Sequence, residues 1–188
     1  MKKLSLLFGG IFLIAGCLGG YSPESKFYAL QTEEQVEPVS TKKMSVGIDT
    51  VSLPEVIDRP QMVVSKENSP EVIISETNRW SESLETMIQG VLSADIADYM
   101  PQAEVKIREL NDKLDVIISV EVLQFKMIEN KQATLEAWWS IVDRFGKASY
   151  RQKFVGAEEI DRSFDSFVEA ESKLLSALAR DIAEKISK

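Results

Sequence analysis

Histidine is absent from all 188 residues. That removes the commonest general base and the commonest metal ligand together, and every Ser-His or Cys-His nucleophile fails with it. Cysteine occurs once, as Cys17, so neither an internal disulfide nor a cysteine zinc site can form. Glycine is sparse: beyond residue 20 only Gly47, Gly90, Gly146 and Gly156 remain, and none belongs to a phosphate-cradling loop. Cations are in deficit, with 22 Lys and Arg against 30 Asp and Glu, which argues against nucleic acid as a partner. The single Ser-x-x-Lys, Ser40–Lys43, lies in a polar stretch without the other motifs of that enzyme class. No catalytic residue, metal or diffusible cofactor is expected, and the acidic surplus reads as a soluble surface.

What is present begins at the N-terminus. Lys2 and Lys3 precede the apolar run Leu4–Ile14, and the small residues Ala15 and Gly16 lead to Cys17. This is the layout of a secretory signal peptide over residues 1–16, and the run is too short for a comfortable membrane span. Ile14-Ala15-Gly16-Cys17 resembles the lipobox of bacterial lipoproteins. The resemblance implies a diacylglyceryl thioether on Cys17, cleavage before it, and an acyl chain on the new amine. More than one chain is needed for firm anchoring, because each buried CH₂ contributes about 0.8 kcal/mol. Leu18 follows the cysteine, where aspartate would signal inner-membrane retention, so the periplasmic face of the outer membrane is expected. Loss of residues 1–16 removes two lysines and moves the net charge from −8 to −10. Residues 17–25, with Gly19, Gly20 and Pro23, read as a lipidated N-terminus and flexible tether.

Residues 26–188 read as one domain. Strands are expected at Lys26–Leu30, Met44–Leu53, Gln61–Ser65 and Glu71–Ser75, the last two joined by the turn KENSP, with a polar loop over Gln31–Lys43. Trp80, Leu84, Met87, Ile88, Val91, Leu92, Ile96 and Tyr99 recur at helical spacing. Asn78 or Ser81 is the expected cap of that helix, and Pro101 its stop. After AEVKIREL comes a long strand in which Val116, Ile118, Val120 and Val122 alternate before Leu123, Phe125 and Met127 shift phase, the mark of a bulge. Two further strands, QATLEAWWSIVDRF and Ser149–Val155, continue a meander. A second amphipathic helix carries Phe164, Phe167, Val168, Leu174, Leu175, Leu178, Ile182 and Ile186 behind a Ser163 cap. The expected class is therefore α+β: an antiparallel β-sheet with two amphipathic α-helices packed on one face, in a single compact domain.

Two features stand out as candidate partner-binding surfaces. In VSLPEVIDRPQMVV, Pro54 and Pro60 flank Asp58 and Arg59. This could be a rigid crossover whose prolines block strand addition, or a preset surface carrying an exposed guanidinium fork. Leu53, Pro54, Asp58, Arg59, Pro60 and Gln61 are the candidates there. Trp138 lies out of phase with Trp139, so one of the two indoles faces away from the core, either packed under a loop or marking an interface, where Trp is enriched.

The lipobox, KFYAL, VGIDTVSLPEVIDRPQMVV, NRWSESLETMIQGVLSADIADYMP and LLSALARDIAEKIS follow one another in an order that resembles the ABC-type transport auxiliary lipoproteins, the PqiC-like family of paraquat-inducible systems. Leu53-Pro54-x-x-x-Asp58-Arg59-Pro60-Gln61 is the most specific piece. The resemblance implies a lipoprotein that docks an MCE-domain protein of an envelope (phospho)lipid transporter at the outer membrane, as a ring-like homo-oligomer. A periplasmic lipid-binding carrier, with an apolar cavity between sheet and helices, is the alternative. An envelope hydrolase ranks behind both.

Overall fold

The computed structural model describes residues 23–33, 36–110, 112–129, 131–143 and 145–188. Cys17, the signal segment and most of the tether therefore lie outside the described residues. Ten elements follow in chain order: β1 (Lys26–Tyr28), β2 (Ser45–Ser52), β3 (Gln61–Ser65), β4 (Val72–Trp80), α1 (Leu84–Tyr99), β5 (Glu104–Ile107), β6 (Val116–Ile128), β7 (Gln132–Val142), β8 (Ala148–Glu159) and α2 (Phe164–Ile186). Both helices pack on the sheet, with α1 against β2 and β5 and α2 against β6, β7 and β8.

Strand β6 is the spine of the sheet. Strand β7 pairs along one edge from Ile117 to Ile128, and β8 pairs beyond it. The other edge of β6 is shared. Strand β2 occupies it from Val116 to Glu121, and β3 takes over at Met127 and Ile128. Strand β5 extends the β2 branch, while β4 and then β1 extend the β3 branch.

The expectation of an antiparallel sheet is corrected here: the sheet is mixed. The pairs β1–β4, β2–β5, β2–β6 and β3–β6 run parallel, and only β3–β4, β6–β7 and β7–β8 are antiparallel. The reason lies in connection length. The hairpins joined by short turns are antiparallel, whereas each parallel pair is separated in the chain by two or more other elements. These are β2 and β3 for β1–β4, with α1 among them for the rest, and they supply the long return a parallel neighbour needs. Alternation of buried side chains is the same for both directions, so it carries no directional signal.

The phase slip in β6 is a register shift between Val122 and Gln124. Val120 and Val122 face the helices before it, and Phe125 and Met127 after it, each nearly closed to solvent. Strand β4 extends beyond the expected Ser75 and ends at Trp80, so this indole closes a strand instead of heading α1. There it meets Phe125 at 6.0 Å and Phe167 at 6.2 Å between ring centroids, one aromatic cluster linking sheet to α2. The cap of α1 is Ser83, whose hydroxyl accepts from the Thr86 amide at 3.1 Å. The expected caps are otherwise engaged: the Asn78 side-chain Oδ1 accepts from the Tyr28 hydroxyl, and the Ser81 backbone amide donates to the Tyr28 backbone carbonyl. Ser163 caps α2 as expected.

The stretch after β1 is no free loop. Gln31 donates its amide to the Ser172 hydroxyl of α2, Val39 donates to the Tyr99 carbonyl of α1, and the Lys42 ammonium reaches the Ile186 carbonyl. Leu30 is buried, and Val36 and Val39 pack on the core. Residues 29–33 and 36–43 therefore bind both helices as a strap.

Candidate docking surface

The segment Leu53–Pro60 owes its shape to the shared edge of β6. Ser52 is opposite Glu121 and Val64 opposite Met127, so one continuous edge is interrupted by an excursion that leaves the sheet and returns. Its chemistry explains the excursion. Pro54 lacks an amide for the ladder, and its carbonyl accepts from Ile57 at 3.0 Å and Asp58 at 3.1 Å, closing a turn. Ile57 points inward, only 7% exposed. It borders an internal gap of about 10 Å³ with Trp80, Leu84, Phe125 and Phe167, so this one side chain pins the loop to the aromatic cluster. Pro60 then hands the chain back, its carbonyl accepting from the Trp80 amide at 2.8 Å.

The predicted residues divide by environment. Asp58 and Pro60 are exposed, while Leu53, Pro54, Arg59 and Gln61 are half-buried. Asp58 and Arg59 make no ion pair with each other, so local pairing does not explain them. Glu55 and Val56 join the exposed rim. Trp138 is also close to this loop in the sheet. Ser52, Glu121, Trp138 and Lys153 are successive register partners across β2, β6, β7 and β8, so the indole stands two strands from the point where the excursion begins. Trp139 is fully buried, and its indole N–H donates to Asp181 of α2 at 2.9 Å. Trp138 takes the opposite face, where the Arg151 guanidinium covers it at 4.8 Å and also pairs with Glu121 at 2.6 Å. Lys153 pairs with Glu136 beside it. Around Trp138 this sheet face therefore carries two ion pairs, Arg151–Glu121 and Lys153–Glu136.

Three polar residues that no motif marks are set within the folded domain. Arg79 is the register partner of both Phe27 in β1 and Gln61 in β3. Asp95 of α1 and Glu171 of α2 are closed to solvent, and none of their carboxylate oxygens has a hydrogen-bond partner among the described residues. Burial pushes the Asp95 carboxyl up to about 7 and holds that of Glu171 well above the carboxylate range. Their signal was present in the periodicity. Asp95 stands four residues after Val91, and Glu171 midway between Phe167 and Leu175, both on the apolar stripes of their helices. Among the described residues no group of three His, Cys, Asp or Glu side chains is placed to hold a metal ion, and no helix is long and apolar enough to cross a membrane.

The model of the ABC-type transport auxiliary lipoprotein component matches residues 28–183. The chain belongs to this family. A structure of a protein described only as uncharacterised superposes with a TM-score of 0.70 at 15% identity, covering 88% of this chain and 100% of its own. The DUF330 protein XCC0632 of Xanthomonas campestris superposes with a TM-score of 0.71 at 14% identity, covering 86% of this chain and 95% of its own. At such identities the two structures establish the fold alone. No curated protein matches the sequence. Family membership makes the chain the lipoprotein component of an ABC-type transport system, hence an envelope protein anchored to a membrane, and gives no support to an enzymatic role.

Proposed function

We propose that the protein is the docking component of an MCE-type (phospho)lipid transporter, held at the periplasmic face of the outer membrane by lipid on Cys17 and acting as a homo-oligomer. The observation that carries this reading is the Leu53–Pro60 excursion. It is irregular backbone fixed at both ends by hydrogen bonds and in the middle by Ile57, which turns Val56, Asp58 and Pro60 outward on a rigid base. Preorganisation of that kind lowers the ordering cost of binding a partner. Trp138 adds an aromatic anchor two strands away, of a type enriched at protein interfaces.

The carrier alternative gains less support. The gap between sheet and helices beneath Ile57 is about 10 Å³, and the larger hollows beside Ala29–Thr32, about 600 and 720 Å³, are clefts open to solvent instead of an enclosed apolar cavity. The test is capture from detergent-solubilised envelopes. The wild-type protein is expected to recover an MCE-domain protein, and Asp58→Lys with Trp138→Ala is expected to cut recovery at least tenfold without changing the thermal midpoint. Recovery of no MCE protein by the wild type, under conditions that preserve such complexes, would overturn the proposal.

A further inference from the structure

Three of the six arginines among the described residues are neutralised: Arg108 by Asp49, Arg151 by Glu121 and Arg180 by Glu184. Of the other three, Arg162 is exposed, while Arg59 and Arg79 are half-buried and unpaired although carboxylates outnumber cations 30 to 22. Neither makes an ion pair or hydrogen bond through its side chain among the described residues, and each keeps its Nε shut away from solvent without an acceptor. Half-burial with only the Nε closed leaves the terminal Nη groups in contact with water. Such a guanidinium has its stem set in protein and its fork open.

The two forks belong to one site. Gln61 is the register partner of Arg79, and the Pro60 carbonyl binds the Trp80 amide, so Arg59 follows one step along the same pairing. Across the other edge of β4, Arg79 is paired with Phe27, which is 64% exposed although aromatic. Lys26 precedes it, also exposed. An open aromatic beside unpaired guanidiniums is the side-chain set that settles at a membrane interface, the ring among upper acyl chains and the forks on phosphate oxygens. Position supports a bilayer over other anions. Phe27 follows Cys17 by ten residues, a reach of at most about 36 Å, so a lipid on Cys17 keeps this surface within one domain diameter of the headgroups.

We infer that Phe27, Arg59 and Arg79 form a contact surface for the phosphate headgroups of the bilayer that holds the anchor, orienting the domain on it. The inference rests on the anchoring role proposed above for Cys17. Anchored this way, the domain turns the β1 edge toward lipid, and Arg59 serves the membrane while Asp58 and Pro60 remain for the partner.

Because Cys17 is consumed by acylation, a cysteine introduced elsewhere is the only free thiol. The acylated full chain carrying Ser25→Cys, labelled with a polarity-sensitive fluorophore, is reconstituted into vesicles of phosphatidylcholine with or without one-third phosphatidylglycerol. A Phe145→Cys label, at a position 80% exposed in the β7–β8 turn, is the reference. The expected result is a blue shift at residue 25 and none at 145, larger with phosphatidylglycerol. It should be halved or more by Arg59→Gln with Arg79→Gln, retained by the Arg→Lys pair at low salt, and reduced by Phe27→Ser, an exposed change that leaves the core intact. Equal shifts in the wild type and the Gln pair, or a label at 25 that stays in water, would overturn the inference. Failure of the chain to float with vesicles at all would instead defeat the anchoring role, so the two failures are distinguishable.

Discussion

Glu171 shows how one residue can work against its own element. It occupies a core position of α2 with Phe167, Val168, Leu174 and Leu175 one turn away on either side, and neither carboxylate oxygen has a hydrogen-bond partner among the described residues. Desolvation outweighs the approach of the Thr134 and Lys126 amides and drives its pKa well above the ordinary 4.5. A carboxyl whose folded pKa is raised contributes its stability below the unfolded value and loses it as pH rises toward the folded one. The protein should therefore become less stable from pH 5 to pH 8. Glu171→Met, of similar length and without the buried oxygens, is expected to gain about 1–3 kcal/mol at pH 8 and much less at pH 4.5. Urea midpoints across pH measure this, and a variant destabilised equally at both pH values would mean that the carboxylate is partnered. Of the two adjacent indoles, the odd phase of Trp138 was legible in the sequence, but its cover by Arg151 joins residues from different strands and had no local mark.

At the scale of elements, the strap is the feature the amino-acid pattern concealed. Residues 31–43 carry Glu33, Glu34, Glu37 and Pro38, the composition of a solvated loop, yet Leu30, Val36 and Val39 are spaced to pack on the helices. Asp95 lies in the α1–α2 layer that the strap covers. The groups facing it are Glu33 from the strap, Asp98 on its own helix, and the Ser176 hydroxyl of α2, itself within 3.1 Å of the Tyr99 hydroxyl. Burial raises the Asp95 pKa to about 7, the nearby acids Asp98 and Glu33 add to the rise, and the Glu33 amide and Ser176 hydroxyl oppose it. If lifting the strap hydrates Asp95, the closed state is fully favoured below about pH 4 and weakens as pH climbs toward 7. Opening should then grow up to tenfold per pH unit between about 5 and 7 and level off above. Hydrogen exchange at the Gln31 and Val39 amides, corrected for intrinsic rates, reads this directly. Asp95→Asn should flatten the profile, and an unchanged slope would show that Asp95 does not gate the strap.

For the whole molecule, anchor and domain are separable in principle. The strap begins within a few residues of the tether, but its hydrogen bonds and its buried side chains belong to residues 30–42. Cys17→Ser is therefore expected to release the protein from the envelope membranes in fractionation while leaving the thermal midpoint of the folded domain within about 1 °C. A variant still processed and sedimenting with membranes would show that the lipobox reading is wrong. The two helices with the Ser163 cap, the hairpins and the β6 bulge followed from the sequence itself, because each depends on spacing along the chain: a period of 3.6 or 2, a break in phase, a turn composition. Strand order and direction did not, nor did the placing of Arg79 beside Phe27 and Gln61, or the strap across two helices. Those depend on which distant segments bury area together, and a half-buried strand alternates in the same way whichever neighbour, and whichever direction, tertiary packing selects.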